Sequence, residues 1–414
     1  MIKVRRSRRR LVSFVTVVAA LMASFAGSAP AAIAADGQSK QWYLDAMHAE
    51  EIWKTSTGQG ITVAVIDTGV NPSTSSLNGQ VLKGMDFAEA KGDETDDYSG
   101  HGTTMAELIA GTGAGGGLKG LAPGAKVIPF RVSDAGLQNN QSANAFDMEE
   151  AIKAAVDSEA QIISISMRSE FYSSAARDAV QAAQFKGKLL FVGVGDSAEE
   201  GNKPQYPASY PEAIAVAATD RVGRVADYSQ HGDFVDLAAP GNDIPAWCDE
   251  SFTRYCVGDG GTSSASALAS ASAALIWSAH PDWTANQVLR VMFESAARGD
   301  DWEEGTLSRY LGHGIVRPGA HINRGIGKPG EPDISPLTNE KVGGGSLWSA
   351  SPAASAPASS EAPAGKPSSD ALVAGSSTEP SDEGTLPGWV WGAVAATVVI
   401  GGGGLAAVRK RRSA

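Results

Sequence analysis

Between residues 61 and 298, short runs of β-branched and aliphatic side chains alternate with longer stretches in which apolar residues recur every three or four positions. Runs of the first kind suit strands buried on both faces, and stretches of the second kind suit helices that cover a sheet. The alternation predicts an α/β fold, a doubly wound parallel sheet with helices on both faces. Strands are expected over 61–66, 126–130, 161–166, 189–194 and 213–218, and helices over 103–110, 145–157, 173–185, 263–278 and 285–297. From about residue 327 the composition turns to Pro, Ser, Ala and Gly, and 349–388 holds almost no large apolar residue. A disordered stalk over 327–388 with no core of its own is expected. No internal repeat of the kind that builds solenoids or propellers is present.

The two ends of the chain read differently from its middle. Six basic residues from Lys3 to Arg10 precede an apolar run over 11–25 and small residues over 26–35, the order of a secretory signal peptide cleaved near Ala34 or Ala35. A retained anchor is the alternative, although the apolar run is shorter than the roughly 20 residues of a spanning helix. Residues 389–408 carry no charge and are followed at once by Arg409, Lys410, Arg411 and Arg412. That pattern predicts one transmembrane helix over 389–408 with a basic cytoplasmic tail, 409–414, placing the folded part, 36–326, outside the cell membrane. A removable sorting tail is the alternative, but no LPxTG-like motif precedes the run.

Ten of the 34 Lys and Arg residues lie in those ends, and none of the 46 Asp and Glu, so residues 36–388 carry a net charge of −22. Such a domain is a poor partner for nucleic acid. Cys248 and Cys256 lie close together in a chain sent to an oxidising exterior, which favours a short disulfide over two free thiols.

Three short segments carry candidate chemistry. The first predicted strand runs into Asp67-Thr68-Gly69, which puts a carboxylate at the carboxyl end of a buried parallel strand, where α/β sheets place their sites. His101 stands in Ser99-Gly100-His101-Gly102-Thr103, between glycines and at a helix start, where an imidazole can be held near neutrality for general-base work. Ser263 follows Gly260-Gly261-Thr262 and opens a long small-residue helix, whose free N–H groups could bind an oxyanion. Taken singly, a turn residue, an ordinary histidine and a helix cap are the plain alternatives. His48, His231, His280, His313 and His321 lack a comparable context.

In the order Asp, His, Ser, these segments resemble the subtilisin-like serine proteases. Further matches are Tyr206-Pro207-Ala208-Ser209-Tyr210-Pro211, Val235-Asp236-Leu237-Ala238-Ala239-Pro240-Gly241 and Gly312-His313-Gly314, so the likeness covers about 42–324. The resemblance implies a catalytic domain over 36–326, a peptide or protein substrate, and no metal or organic cofactor. In it Ser263 attacks the scissile carbonyl, His101 carries the proton and Asp67 orients His101. Gly-x-Ser-x-Gly, the elbow of the α/β-hydrolases, is absent around Ser263. Gln41-Trp42-Tyr43-Leu44-Asp45-Ala46 and Ile52-Trp53-Lys54-Thr55-Ser56-Thr57-Gly58, a terminal span, a Pro-rich stalk and only about 30 residues between the expected cleavage point and Asp67 resemble the mycosins, membrane-anchored proteases of actinobacterial type VII secretion. That likeness implies secretion-system membrane components as partners.

The resemblance also assigns substrate-binding positions, Ser166, Met167 and Arg168 on one side and Gly193, Val194 and Gly195 on the other. Two of its residues depart from the family. Asp196 stands where the family has an oxyanion-binding Asn, and Arg168 where it has Gly; Ala267 and Ala271 replace a usual Pro and Gly more mildly. An ionised Asp196 would repel the developing charge, a protonated one could still donate, and Arg168 either pairs with it or points to solvent. The expected function is therefore a membrane-anchored serine endopeptidase, with a weakly active or inactive scaffold subunit as the second reading. The acidic run Asp93-Glu94-Thr95-Asp96-Asp97 reads as a calcium loop or a solvated loop, without EF-hand spacing.

Overall fold

The computed structural model describes residues 37–342 apart from 89, 133–144, 259, 300, 301 and 304. The expected signal peptide, the transmembrane helix, the basic tail and the stalk beyond 342 lie outside the described residues. No helix among the described residues is long and apolar enough to cross a membrane.

Seven strands form one parallel sheet, β1 (Thr62–Asp67), β2 (Met85–Asp86), β3 (Lys126–Arg131), β4 (Ile162–Ile165), β5 (Leu189–Gly193), β6 (Ile214–Thr219) and β7 (Leu237–Pro240), in the order β2-β3-β1-β4-β5-β6-β7. An antiparallel hairpin, β8 (Pro245–Trp247) and β9 (Tyr255–Val257), stands apart from it. The helices are α1 (Trp42–Ala46), α2 (Ala49–Ile52), α3 (His101–Ala110), α4 (Ala145–Asp157), α5 (Ser174–Phe185), α6 (Thr262–Ala279), α7 (Ala285–Ser295) and α8 (Pro318–Ile322). All five expected strands and all five expected helices form, most of them within two residues of the expected ends. The edge strands β2 and β7 and the hairpin were not anticipated, being two to four residues long and too short to show a period.

Alternation along the strands explains the two layers. Val63 and Val65 join a core with α3, α6 and α7, whereas Ala64 and Ile66 join another with α4 and α5. Because both faces are covered, the strands read as continuous apolar runs. The chain adds strands on one side of β1 and then, from β4 onward, on the other. The carboxyl ends of β1 and β4 therefore flank a topological switch point, the place where an open α/β sheet leaves a crevice.

Order continues past the expected domain boundary at 326. Thr284 Oγ1 and Asn286 Nδ2 donate to the Pro332 carbonyl, at 2.9 and 3.0 Å, Gln184 Nε2 donates to Ser335 Oγ at 2.8 Å, and Leu337 packs against the core. Residues 327–342 belong to this packed unit rather than to a stalk. They are held by side-chain hydrogen bonds to backbone, which leave no hydrophobic period in the sequence.

Candidate active site

β1 ends on Asp67, which is fully buried, and α3 begins on His101, so the strand end and the helix start face each other. His101 Nδ1 lies 2.7 Å from Asp67 Oδ1. The Thr68 N–H donates to the same oxygen at 2.7 Å, whereas Asp67 Oδ2 is buried and makes no hydrogen bond of normal geometry among the described residues. Burial pushes the Asp67 carboxyl upward, but the neighbouring His101 charge and hydrogen bonds from His101 and Thr68 outweigh it, and the net shift is downward. For His101, burial pushes the pKa down, and the carboxylate of Asp67, joined by Asp97 and Asp196, carries it up to about 9. A hydrogen bond through Nδ1 leaves Nε2 for proton transfer.

The start of α3 is built by a residue that motif reading passed over. Its N-cap, Gly100, sits at φ 77°, and a Cβ there would come within 2.9 Å of the Trp247 Cβ, so glycine is required twice over. Glycine has no capping side chain, and Asp97 supplies one. Its Oδ1 accepts from Gly100 N–H at 2.9 Å and from Thr68 Oγ1 at 2.9 Å, and its Oδ2 from Thr103 N–H at 2.8 Å and Thr103 Oγ1 at 2.6 Å. Asp97 is therefore buried and turned inward, unlike Asp93, which stays exposed, so Asp97 alone departs from the solvated-loop reading of 93–97. Its signal lay in the spacing Asp97-x-x-Gly100, which places a carboxylate three residues before the cap.

Cys248 and Cys256 form a disulfide across the β8–β9 hairpin. The hairpin braces α3: the Trp247 backbone N–H donates to Thr104 Oγ1 at 3.1 Å, and Tyr255 Oη donates to Glu107 Oε2 at 2.6 Å. Thr74 Oγ1 holds the other Glu107 oxygen at 2.8 Å. Burial raises Glu107 to about 7.

Ser263 is the second residue of α6, whose side chains are buried from Thr262 to Trp277. Its hydroxyl donates to the Ser166 carbonyl at 3.3 Å and makes no hydrogen bond to His101. Its backbone N–H has no partner among the described residues, as expected of a first-turn amide. The expected substrate segments are both here, although several of their groups dock α6 instead of facing a cleft. A Cβ on Gly193 would lie 2.7 Å from the Thr262 carbonyl, and Gly195 N–H donates to Thr262 Oγ1 at 3.1 Å. Val194 is buried, and Met167 packs against the α4–α5 core.

Arg168 and Asp196 meet. Arg168 Nη1 lies 2.9 Å from Asp196 Oδ2, and Thr262 N–H donates to Asp196 Oδ1 at 2.7 Å. The α6 N-cap, Gly261, has no side chain to cap with, so Asp196 caps the helix from across the sheet. Of the two alternatives the resemblance left for Arg168, pairing with Asp196 is the one observed, whereas the Thr262 contact, 66 residues away, has no sign in the sequence spacing.

The chain is 35% identical over 231 residues to the thermophilic serine proteinase of Bacillus sp. (strain AK1), covering 55% of this chain and 54% of that one, so it spans about half of that relative's length. It is 34% identical over 206 residues to thermitase of Thermoactinomyces vulgaris, covering 49% and 71%. Among solved structures, MycP3 protease from the type VII (ESX-3) secretion system matches with a TM-score of 0.57 at 28% identity, covering 72% of this chain and 89% of that one. The sequence pattern of the subtilase family, Peptidase_S8, matches residues 58–314, more than half of the chain, and the chain belongs to that family.

Proposed function

We propose that the chain is a serine endopeptidase working through Asp67, His101 and Ser263 by way of an acyl-enzyme. The observation that carries the reading is the convergence of the 2.7 Å Asp67–His101 contact with a serine at the start of a buried helix whose own amide is unpaired. In the reaction the Ser263 hydroxyl leaves the Ser166 carbonyl and turns to His101. Its oxygen bonds to the substrate carbonyl carbon as its proton passes to Nε2, and the charge moves onto the carbonyl oxygen beside the Ser263 amide. His101 then protonates the departing amine, the acyl-enzyme forms, and a water deprotonated by His101 releases it. Asp67 holds the imidazole by Nδ1 and offsets its charge. With His101 held at about 9, the neutral base becomes more available as pH rises toward that value.

A fluorophosphonate probe tests the reading on the folded protein. Wild type is expected to label, faster as pH rises from about 7 to 9, and Ser263→Ala to remain unlabelled; a folded wild type that never labels overturns it.

A second reading, a protease-fold subunit that binds without cleaving, draws on the Asp196 carboxylate at the mouth of α6 and on the Ser263 hydroxyl turned to Ser166. The same labelling experiment separates the two. The likeness to solved proteases of type VII secretion and the sequence of 389–408 support placement outside a cell membrane, anchored by that segment, beside secretion-system membrane components. Deleting 389–414 is expected to release the protein from the membrane fraction.

A further inference from the structure

The two departures from the family pattern beside Ser263 form one unit. Asp196 uses both oxygens as acceptors, one from Thr262 N–H and one from Arg168 Nη1. A carboxylate so engaged has no hydrogen to offer an oxyanion. Arg168 is the opposite case. A guanidinium has five N–H donors, and Asp196 is its one hydrogen-bond partner among the described residues. Its side chain is 41% exposed. It is also held at both ends to the nucleophile. Two residues before it, the Ser166 carbonyl receives the Ser263 hydroxyl, and at its tip Asp196 connects it to Thr262, the residue before Ser263.

We propose that Arg168 supplies the side-chain donor to the oxyanion formed on the carbonyl that Ser263 attacks, with Asp196 as the positioning residue that holds the guanidinium in place. The proposal rests on the reading of Ser263 as nucleophile. A lone carboxylate at the start of α6 would oppose the charge that develops there, whereas a carboxylate joined to a guanidinium leaves a near-neutral pair with N–H groups to spare. The planar fork suits the task, since one edge can bind the carboxylate while another points elsewhere. No proton or electron moves to Arg168. As Ser263 Oγ bonds to the carbonyl carbon, the π electrons go to oxygen and the hydroxyl proton goes to His101. On collapse the C–N bond breaks, the electron pair leaves with the amine, and Arg168 is unchanged. Ser263 N–H is the second donor.

The test compares the full-length wild type, Arg168→Ala, Arg168→Gln and the double variant Arg168→Ala/Asp196→Asn, with melting temperatures as the check on folding. Readouts are kcat and KM on a chromogenic peptide amide, and the rate of fluorophosphonate labelling. Each single variant is expected to lose about a hundred- to a thousand-fold in kcat, the loss typical of one missing oxyanion donor, with KM changed less than about threefold. In the double variant, removing the carboxylate and adding an amide donor at 196 is expected to restore most of the loss. Folded single variants that keep or exceed wild-type kcat, or that change KM alone, overturn the proposal while leaving Ser263 as nucleophile. So does a double variant as slow as Arg168→Ala. A folded wild type that never labels overturns both readings together.

Discussion

The helices that present His101 and Ser263 begin alike and are finished differently. Each opens on a glycine N-cap without a capping side chain, and each borrows an aspartate from outside the helix. Asp97 reaches α3 from the preceding loop, is buried, and commits both oxygens to the loop and first turn that hold His101. Asp196 reaches α6 from the end of another strand, commits one oxygen to Thr262 and gives the other to Arg168. The helix of His101 is closed by Asp97, while the Ser263 amide at the start of α6 has no partner among the described residues and the Asp196–Arg168 contact is open to solvent. One end is built for fixed orientation. The other, on the proposed mechanism, is where the charge of the reaction would be met, and where the resemblance expects other residues than Asp196 and Arg168.

The largest effect expected in this comparison belongs to the reacting groups. Ser263→Ala is expected to lower kcat by on the order of a million-fold, read by peptide amide turnover, while leaving thermal stability near wild type. Asp97→Ala breaks the contrast from the other side, since it strips acceptors from several buried donors. A loss of about 3 kcal/mol or more is expected in chemical denaturation. Opening the hairpin that braces α3, with Cys248→Ser and Cys256→Ser together, is expected to cost about 2–3 kcal/mol by loop closure over so short a span.

Glu107, beneath the same hairpin, gives a signature in pH. Its carboxyl is raised from 4.5 to about 7 on folding, so its contribution to stability is present below about 4.5 and is lost as pH rises through 7. Glu107→Gln is expected to remove a pH dependence on the order of 3 kcal/mol between those values, measured by denaturation at pH 4.5 and 8. The finest test is the pH profile of kcat/KM. Its rising limb is expected near 9, where His101 loses its proton. Asp196→Asn removes one of the charges that raise His101 and is expected to move that limb downward by less than about one unit, whatever it does to the plateau.

The alternation of apolar runs was enough to predict the sheet and its covering helices, because strands buried on both faces must be apolar throughout and helices must repeat every three to four residues. Asp67, His101 and Ser263 each sit near glycines at an element end, a local context that is weak taken singly; their order along the chain, through its likeness to a family, singled them out together. Asp97 caps α3 from three residues before Gly100, a local spacing that carries no hydrophobic period and so reads as part of an acidic loop. What lay beyond reach of such reasoning was contact between segments far apart in sequence. Residues 327–342 looked like stalk until their backbone was seen to accept hydrogen bonds from α7.

By itself, then, the sequence determined the fold class and the longer strands and helices, since periodicity is written in neighbouring positions, and the resemblance to a family picked out the three residues proposed to react. Only the tertiary structure decided that Arg168 pairs with Asp196 and that Asp196 caps α6, because the sheet order places the ends of β4 and β5 side by side and leaves α6 starting above them. A side chain's charge is local information. Whether that charge opposes or serves a reaction depends on what the fold sets beside it.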